Sequence, residues 1–238
     1  MMFRFGVVCG GSTLTAQQPQ NNIVRVAYQA LASVLGGVQS VFTAAWDEAF
    51  AIPTEQTAEL ALRTQQVLAY ETGVANVADP LGGSYYVEAL TDRIEHEALA
   101  IIDRIERAGG MVPCIQNGLI QKEIAREAYR HQQRVESGER VVVGVNKFSR
   151  EEPELRQLEL YETDASLAVR QREDVARAKS SRDHAQVARV LAAIREAARG
   201  SDSLMPPIIE AVKSYASLGE ICGVLREEFG TFREPTGL

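Results

Sequence analysis

The stretch STLTAQQPQNNIVRVAYQALASVLGGVQSVFTAAWDEAFAIPT, residues 12–54, decides the fold. Gln17, Gln18, Pro19, Asn21 and Asn22 make an amide-rich turn, a composition that favours loops and helix starts. Val24, Ala27, Tyr28, Leu31 and Leu35 then recur at helical spacing, and Gly36-Gly37 is a natural stop. A short strand follows at 39–45, with Asp47-Glu48 at its C-terminal end, and Pro53-Thr54 opens the next amphipathic stretch. Upstream, residues 4–8 read as another short apolar strand, ended by Gly10-Gly11. The order is strand, polar loop, helix, strand, acidic loop, helix. Such βα repetition gathers polar residues at strand ends, where α/β barrels build their sites.

Outward from this core, the chain alternates less clearly. Helices are expected at 54–70, from Thr91 to the Gly109-Gly110 stop, and at 119–136. Ile94, Leu99, Ile101, Ile102 and Ile105 form the expected buried face of the second of these. Short strands are expected at 84–87, after the turn ADPLGG, and at 141–145. The composition becomes strongly charged at 151–154, and beyond it lie mainly helices, near 166–199, 208–214 and 218–228. The expected organisation is therefore a 1–150 α/β domain and a 151–238 helical extension. Four strands are half of what a closed eight-stranded barrel needs, and an open half exposes sheet edges and apolar faces. The sequence thus predicts dependence on a partner, with a small independent α/β sheet as the alternative.

Bulk composition narrows the function classes. The 238 residues, 45% hydrophobic and 24% charged, suit a globular protein with a sizeable core. A net charge of −7 argues against general nucleic-acid binding, which needs a basic surface. No apolar run approaches the roughly 18 residues a membrane span requires. Cys9, Cys114 and Cys222 are odd in number, widely spaced and free of any CxxC pair, which fits reduced thiols and a cytoplasmic location.

Several motifs together carry a resemblance. LTAQQPxNNIVR, LGGxQS, the TxxxDEA that follows, PTE, ADPLGGSYYVE, VVVGVNKF and SSRD occur in this order along nearly the whole chain. They resemble the large catalytic subunit of adenosylcobalamin-dependent acyl-CoA mutases, the methylmalonyl-CoA mutase family. The resemblance implies the second half of a (β/α)8 TIM-type barrel followed by a mainly helical extension. It implies a radical carbon-skeleton rearrangement of a CoA thioester, with the acyl-CoA tail along the barrel axis. Binding, orientation and shielding then fall to the protein and the hard chemistry to the cofactor. The implied partners are an acyl-CoA substrate, a chain carrying the N-terminal half of the barrel, and a small cobalamin-binding subunit. That subunit would carry the DxHxxG motif, which this sequence lacks. A non-catalytic scaffold that keeps the fold is the alternative from another class.

Five residues stand out as site candidates. By resemblance, Arg4 pairs with CoA phosphate, a role its guanidinium suits; a solvated arginine is the alternative. Also by resemblance, Ser84 lies near the CoA tail and Glu88 holds hydroxyls of the adenosyl ribose. A glutamate that starts a helix equally serves the helix dipole. Phe42 and Trp46 are candidates for acyl selectivity, or else pack against helices. Related sequences commonly have RxHxQTSG at the first strand and a histidine before the threonine of the second. Here Gly6, Val8-Cys9 and Phe42 stand in place of the first histidine, Gln-Thr and the second histidine. Fewer polar donors point to a different or bulkier acyl group than methylmalonyl. Small residues (Gly6, Cys9, Gly10, Gly11, Ser40, Thr43, Ala44 and Ala45) are expected to line an open channel, or else to shape tight turns. Asp47 and Glu48 are expected to fix their loop or cap the next helix. His96, His131 and His184 are expected on solvated helix faces.

Overall fold

A computed structural model describes residues 4–150 and 160–234. The charged segment at 151–154, expected to mark the domain boundary, lies outside the described residues. Two compact units are present: one reaches Glu162, and the other is Thr163–Glu234. The fold is mainly helical α/β, with a small parallel sheet in the first unit.

That sheet pairs β1 (Gly6–Val8) with β2 (Ser40–Phe42) in parallel, matching Gly6 with Ser40, Val7 with Val41 and Val8 with Phe42. Two further bonds extend the ladder: Gln39 N donates to Phe5 O (3.2 Å) and Cys9 N to Phe42 O (2.8 Å). The crossover between the strands is helix α1 (Asn21–Leu35), as parallel pairing requires. Its Val26 and Ala30 bury against Cys9, Ala44 and Leu68, with Val41 packed beside them. Gly37, at φ +80°, takes the left-handed conformation that stops the helix.

Helix α2 (Glu55–Glu71) starts at Thr54, whose hydroxyl accepts from Thr57 N at 3.3 Å. Three helices follow in this unit: α3 (Tyr85–Arg107), α4 (Met111–Gln116) and α5 (Leu119–Glu136). The second unit holds α6 (Ala165–Ser181), α7 (His184–Arg199), α8 (Met205–Lys213) and α9 (Leu218–Phe229). Its core joins Val187, Val190, Ile194, Ala211, Ile221 and Val224 from the last three of these helices.

Four expectations are corrected. Residues 84–87 are not a strand, because Ser84 caps α3 through Val87 N (3.4 Å) and the aromatic pair Tyr85-Tyr86 becomes its first turn. Residues 141–145 form turns, tied by a single bridge between Val143 and Lys147; Gly144 at φ +83° bends the run away from extension. The expected helix at 166–199 is two helices, broken where Asp183 caps α7 by accepting from Gln186 N at 3.0 Å. Finally, α3 has no buried residue: Ile94, Leu99, Ile101 and Ile102 are exposed.

Candidate functional site

The sheet has two unlike faces. Val7 and Val41 face the helices, whereas Gly6, Val8, Ser40 and Phe42 occupy the other, exposed face. Val8 and Phe42, 70% and 61% exposed, are register partners and form an apolar shelf towards the strands' C-terminal ends. Gly6 and Ser40 leave the N-terminal half shallow. A Cβ on Gly6 would come within 2.3 Å of Ser40 Oγ, so the serine hydroxyl uses the space the glycine leaves. The small-residue channel is thus narrower than the sequence implied. Thr43 belongs to the helix side, donating to Ala61 O (2.7 Å) and accepting from Gln65 Nε2 (2.8 Å). Cys9, Ala44 and Ala45 are buried, and burial pushes the Cys9 thiol pKa up.

Beyond the strand ends, the amide-rich turn is a hydrogen-bonded knot. Asn22, fully buried, donates from Nδ2 to Thr15 O and Trp46 O, each at 2.9 Å. Its Oδ1 accepts from Thr15 N (3.1 Å) and Arg25 Nη1 (2.7 Å), so one side chain ties the β1 loop to the β2 loop. Arg25 also donates to Thr15 Oγ1 (2.8 Å) and to Val143 O (2.7 Å). Gln18 donates to Phe148 O at 2.9 Å and accepts from Asn21 Nδ2 at 3.1 Å. The run at 141–148 therefore buttresses the strand-end loops. Asp47, 1% exposed, accepts from Thr57 Oγ1 (2.8 Å) and Thr54 N (3.3 Å), and Glu48 accepts from Ala45 N (2.8 Å). Both carboxylates fix the loop, as expected.

The five candidates fall at two ends of the strands. Arg4 is exposed and precedes β1. Glu88 lines a cleft of about 570 Å³ with Gly36, Gly37, Asp79 and Gly82, at the end where β2 begins. One Glu88 oxygen accepts from Gly83 N at 2.7 Å, and Ser84 beside it caps α3. Phe42 and Trp46 belong to the opposite, C-terminal end, where the half-buried Trp46 is anchored through its carbonyl. Sequence reading missed Asn22 and Arg25 as organisers of that end. Their signal was the density of amides, but their partners lie as much as 118 residues away.

Comparison with known proteins agrees with the resemblance. Residues 1–231 match the family described as methylmalonyl-CoA mutase. The 2-hydroxyisobutanoyl-CoA mutase large subunit of Aquincola tertiaricarbonis is 44% identical over 98% of this chain and 42% of its own length. Methylmalonyl-CoA mutase of Rhizobium meliloti (strain 1021) is 38% identical over 98% of this chain and 33% of its own length. The human mitochondrial methylmalonyl-CoA mutase is 39% identical over 97% and 31%, respectively. The chain thus spans less than half the length of these relatives.

Proposed function

The chain belongs to the methylmalonyl-CoA mutase family, and from that membership we propose that it supplies the C-terminal half of a (β/α)8 barrel to a cobalamin-dependent acyl-CoA mutase. The activity is isomerisation of a CoA thioester by radical carbon-skeleton rearrangement. The remaining strands and most of the adenosylcobalamin site come from partner segments, including a small cobalamin-binding subunit. The "large subunit" in the name of the Aquincola relative supports that division. Three free cysteines suit the reducing cytoplasm, and no helix among the described residues is long and apolar enough to cross a membrane.

The exposed face of β1–β2 carries this reading. A parallel pair with helices on one face and Gly6, Ser40, Val8 and Phe42 open on the other is what two βα units of an unfinished barrel would present. The shallow Gly6–Ser40 end suits a thin pantetheine arm, and the Val8–Phe42 shelf suits an apolar, branched acyl end. In this reading Arg4, exposed ahead of β1, pairs with the CoA phosphates, and Ser84 lies near the tail. We assign Glu88, which lines the neighbouring cleft, to hydroxyls of the adenosyl ribose.

Co-production with chains carrying the other barrel strands and a cobalamin domain tests the proposal. A panel of carboxylated, hydroxylated and branched acyl-CoAs is then assayed for isomerisation. Turnover that requires every component supports the reading. Turnover by this chain alone, or none from any stable assembly, refutes it.

A further inference from the structure

A second cleft, of about 580 Å³, opens at the strands' C-terminal end, and its charge runs against that of the whole chain. Its walls include Ser12, Thr13 and Thr15 from the β1 loop, with Arg25, His131 and Arg140. Among the described residues no carboxylate lines it, although the protein carries a net charge of −7. The neighbouring acids are turned elsewhere: Glu139 pairs with Arg134, and Glu136 accepts from Gln132. Val135, Val141, Val142, Val143 and Val145 make the opposite wall apolar.

Arg25 is the decisive residue. It is half-buried, and its three bonds go to neutral acceptors: the Thr15 hydroxyl, the Asn22 amide and the Val143 carbonyl. Among the described residues it has no carboxylate partner. A guanidinium has five N–H donors, so two are left for a ligand. Withdrawing a cation from water without a counter-charge is costly, and a bound anion relieves that cost. Arg140, across the cleft, likewise forms no ion pair among the described residues. The Thr13 and Thr15 hydroxyls donate to Gly10 O and Gln17 O, so two guanidiniums, an imidazole and the Ser12 hydroxyl beside an apolar wall are what match a phosphate group borne on a ligand with an apolar portion.

We propose that this cleft is a phosphate-binding site, with Arg25 and Arg140 as the charged ligands and the Ser12 hydroxyl completing the shell. The site stands on its own geometry and does not depend on mutase activity. It lies at the opposite end of the strands from Arg4, so it is distinct from the CoA-phosphate contact proposed there.

The test titrates the full chain separately with inorganic phosphate, coenzyme A and cyanocobalamin, by calorimetry and by the His131 imidazole resonances. We expect at least one probe to bind and to shift His131. Arg140→Gln, which disturbs no hydrogen bond of the knot, should weaken that binding by about tenfold or more, and His131→Gln by less. The probe that binds tightest identifies the source: a free phosphate, a CoA phosphate or a phosphodiester. The proposal is overturned if none of the three binds at millimolar concentration. Binding that survives Arg140→Gln unchanged, an adventitious ion only, overturns it equally.

Discussion

Replacing Asn22 by alanine should loosen the strand-end loops more than any other single truncation in them. The side chain is fully buried and takes part in four hydrogen bonds, to Thr15 N, Thr15 O, Trp46 O and Arg25. At about 1 kcal/mol each, their loss amounts to roughly 4 kcal/mol, and more where a carbonyl stays dry and unpaired. That is a large share of a typical stability of about 5–15 kcal/mol. Trp46 is the single tryptophan, so its fluorescence reports on the knot and not on the helical unit. With a urea slope of about 2 kcal/mol per molar, the midpoint followed by that fluorescence should fall by about 2 M. Asn22→Asp keeps the acceptor for Thr15 N and Arg25 but turns a carboxylate on two carbonyls. It too should destabilise, by about 2 kcal/mol or more. A midpoint shift below about 0.5 M for Asn22→Ala, at unchanged slope, would show that the knot does not hold these loops.

Three other outcomes follow from the same geometry. Arg182, 7% exposed, makes a two-pronged pair with Glu220 (2.8 and 2.5 Å) and holds that carboxyl far below its ordinary range. A lowered folded pKa means stability that is full above the unfolded value, near pH 4–5, and lost as pH falls through the folded one. Glu228, held down by Arg199 and Arg195, acts in the same sense. Melting of the 163–234 unit should therefore worsen steadily below about pH 5, and Arg182→Ala should flatten the dependence; identical profiles would contradict the assignment. Arg4→Ala, in the assembled enzyme, should raise KM for acyl-CoA about tenfold or more with kcat less affected, given roughly 1.5–3 kcal/mol for a charged hydrogen bond; an unchanged KM leaves Arg4 a surface charge. Phe42→His should shift kcat/KM towards carboxylated acyl-CoAs by restoring a donor on the open face, and an unaltered substrate ranking would place Phe42 outside the pocket.

The parts of the fold that were legible are those written in local chemistry. The apolar spacing of α1 with its Gly36-Gly37 stop, the Thr54 cap of α2 and the limits of α5 all follow from neighbours within one or two turns. Misreadings arose where two local signals competed. In GGSYYVE the aromatic and β-branched residues suggest a strand, but the Ser84 cap and the Glu88–Gly83 bond commit the segment to helix. In VVVGV the β-branched run suggests a strand, yet no neighbouring strand pairs with it among the described residues, and Gly144 turns it. Thr43, Ala44 and Ala45, expected to line the open channel, instead turn inward, because the strand ends at Phe42 and the next residues dock on the helices. The knot was legible as a loop but not as a device, since no local rule connects Arg25 to Val143 or Gln18 to Phe148.

Those two bonds also set an order of events during folding. Helix α1 and its strand pairing need only the first forty or so residues, but Arg25 and Gln18 bond to carbonyls 118 and 130 positions later. Closing so long a loop carries an entropic cost that is repaid only when both ends dock. A growing chain therefore completes its hydrophobic contacts and the Asn22 ties early, and adds the 141–148 buttress to its strand-end loops late, after α5 has left the ribosome. The outer support of the site end is thereby the last feature of this unit to mature, and an arrested chain shorter than residue 143 would hold a formed α1 beneath loops tied by Asn22 but not yet buttressed.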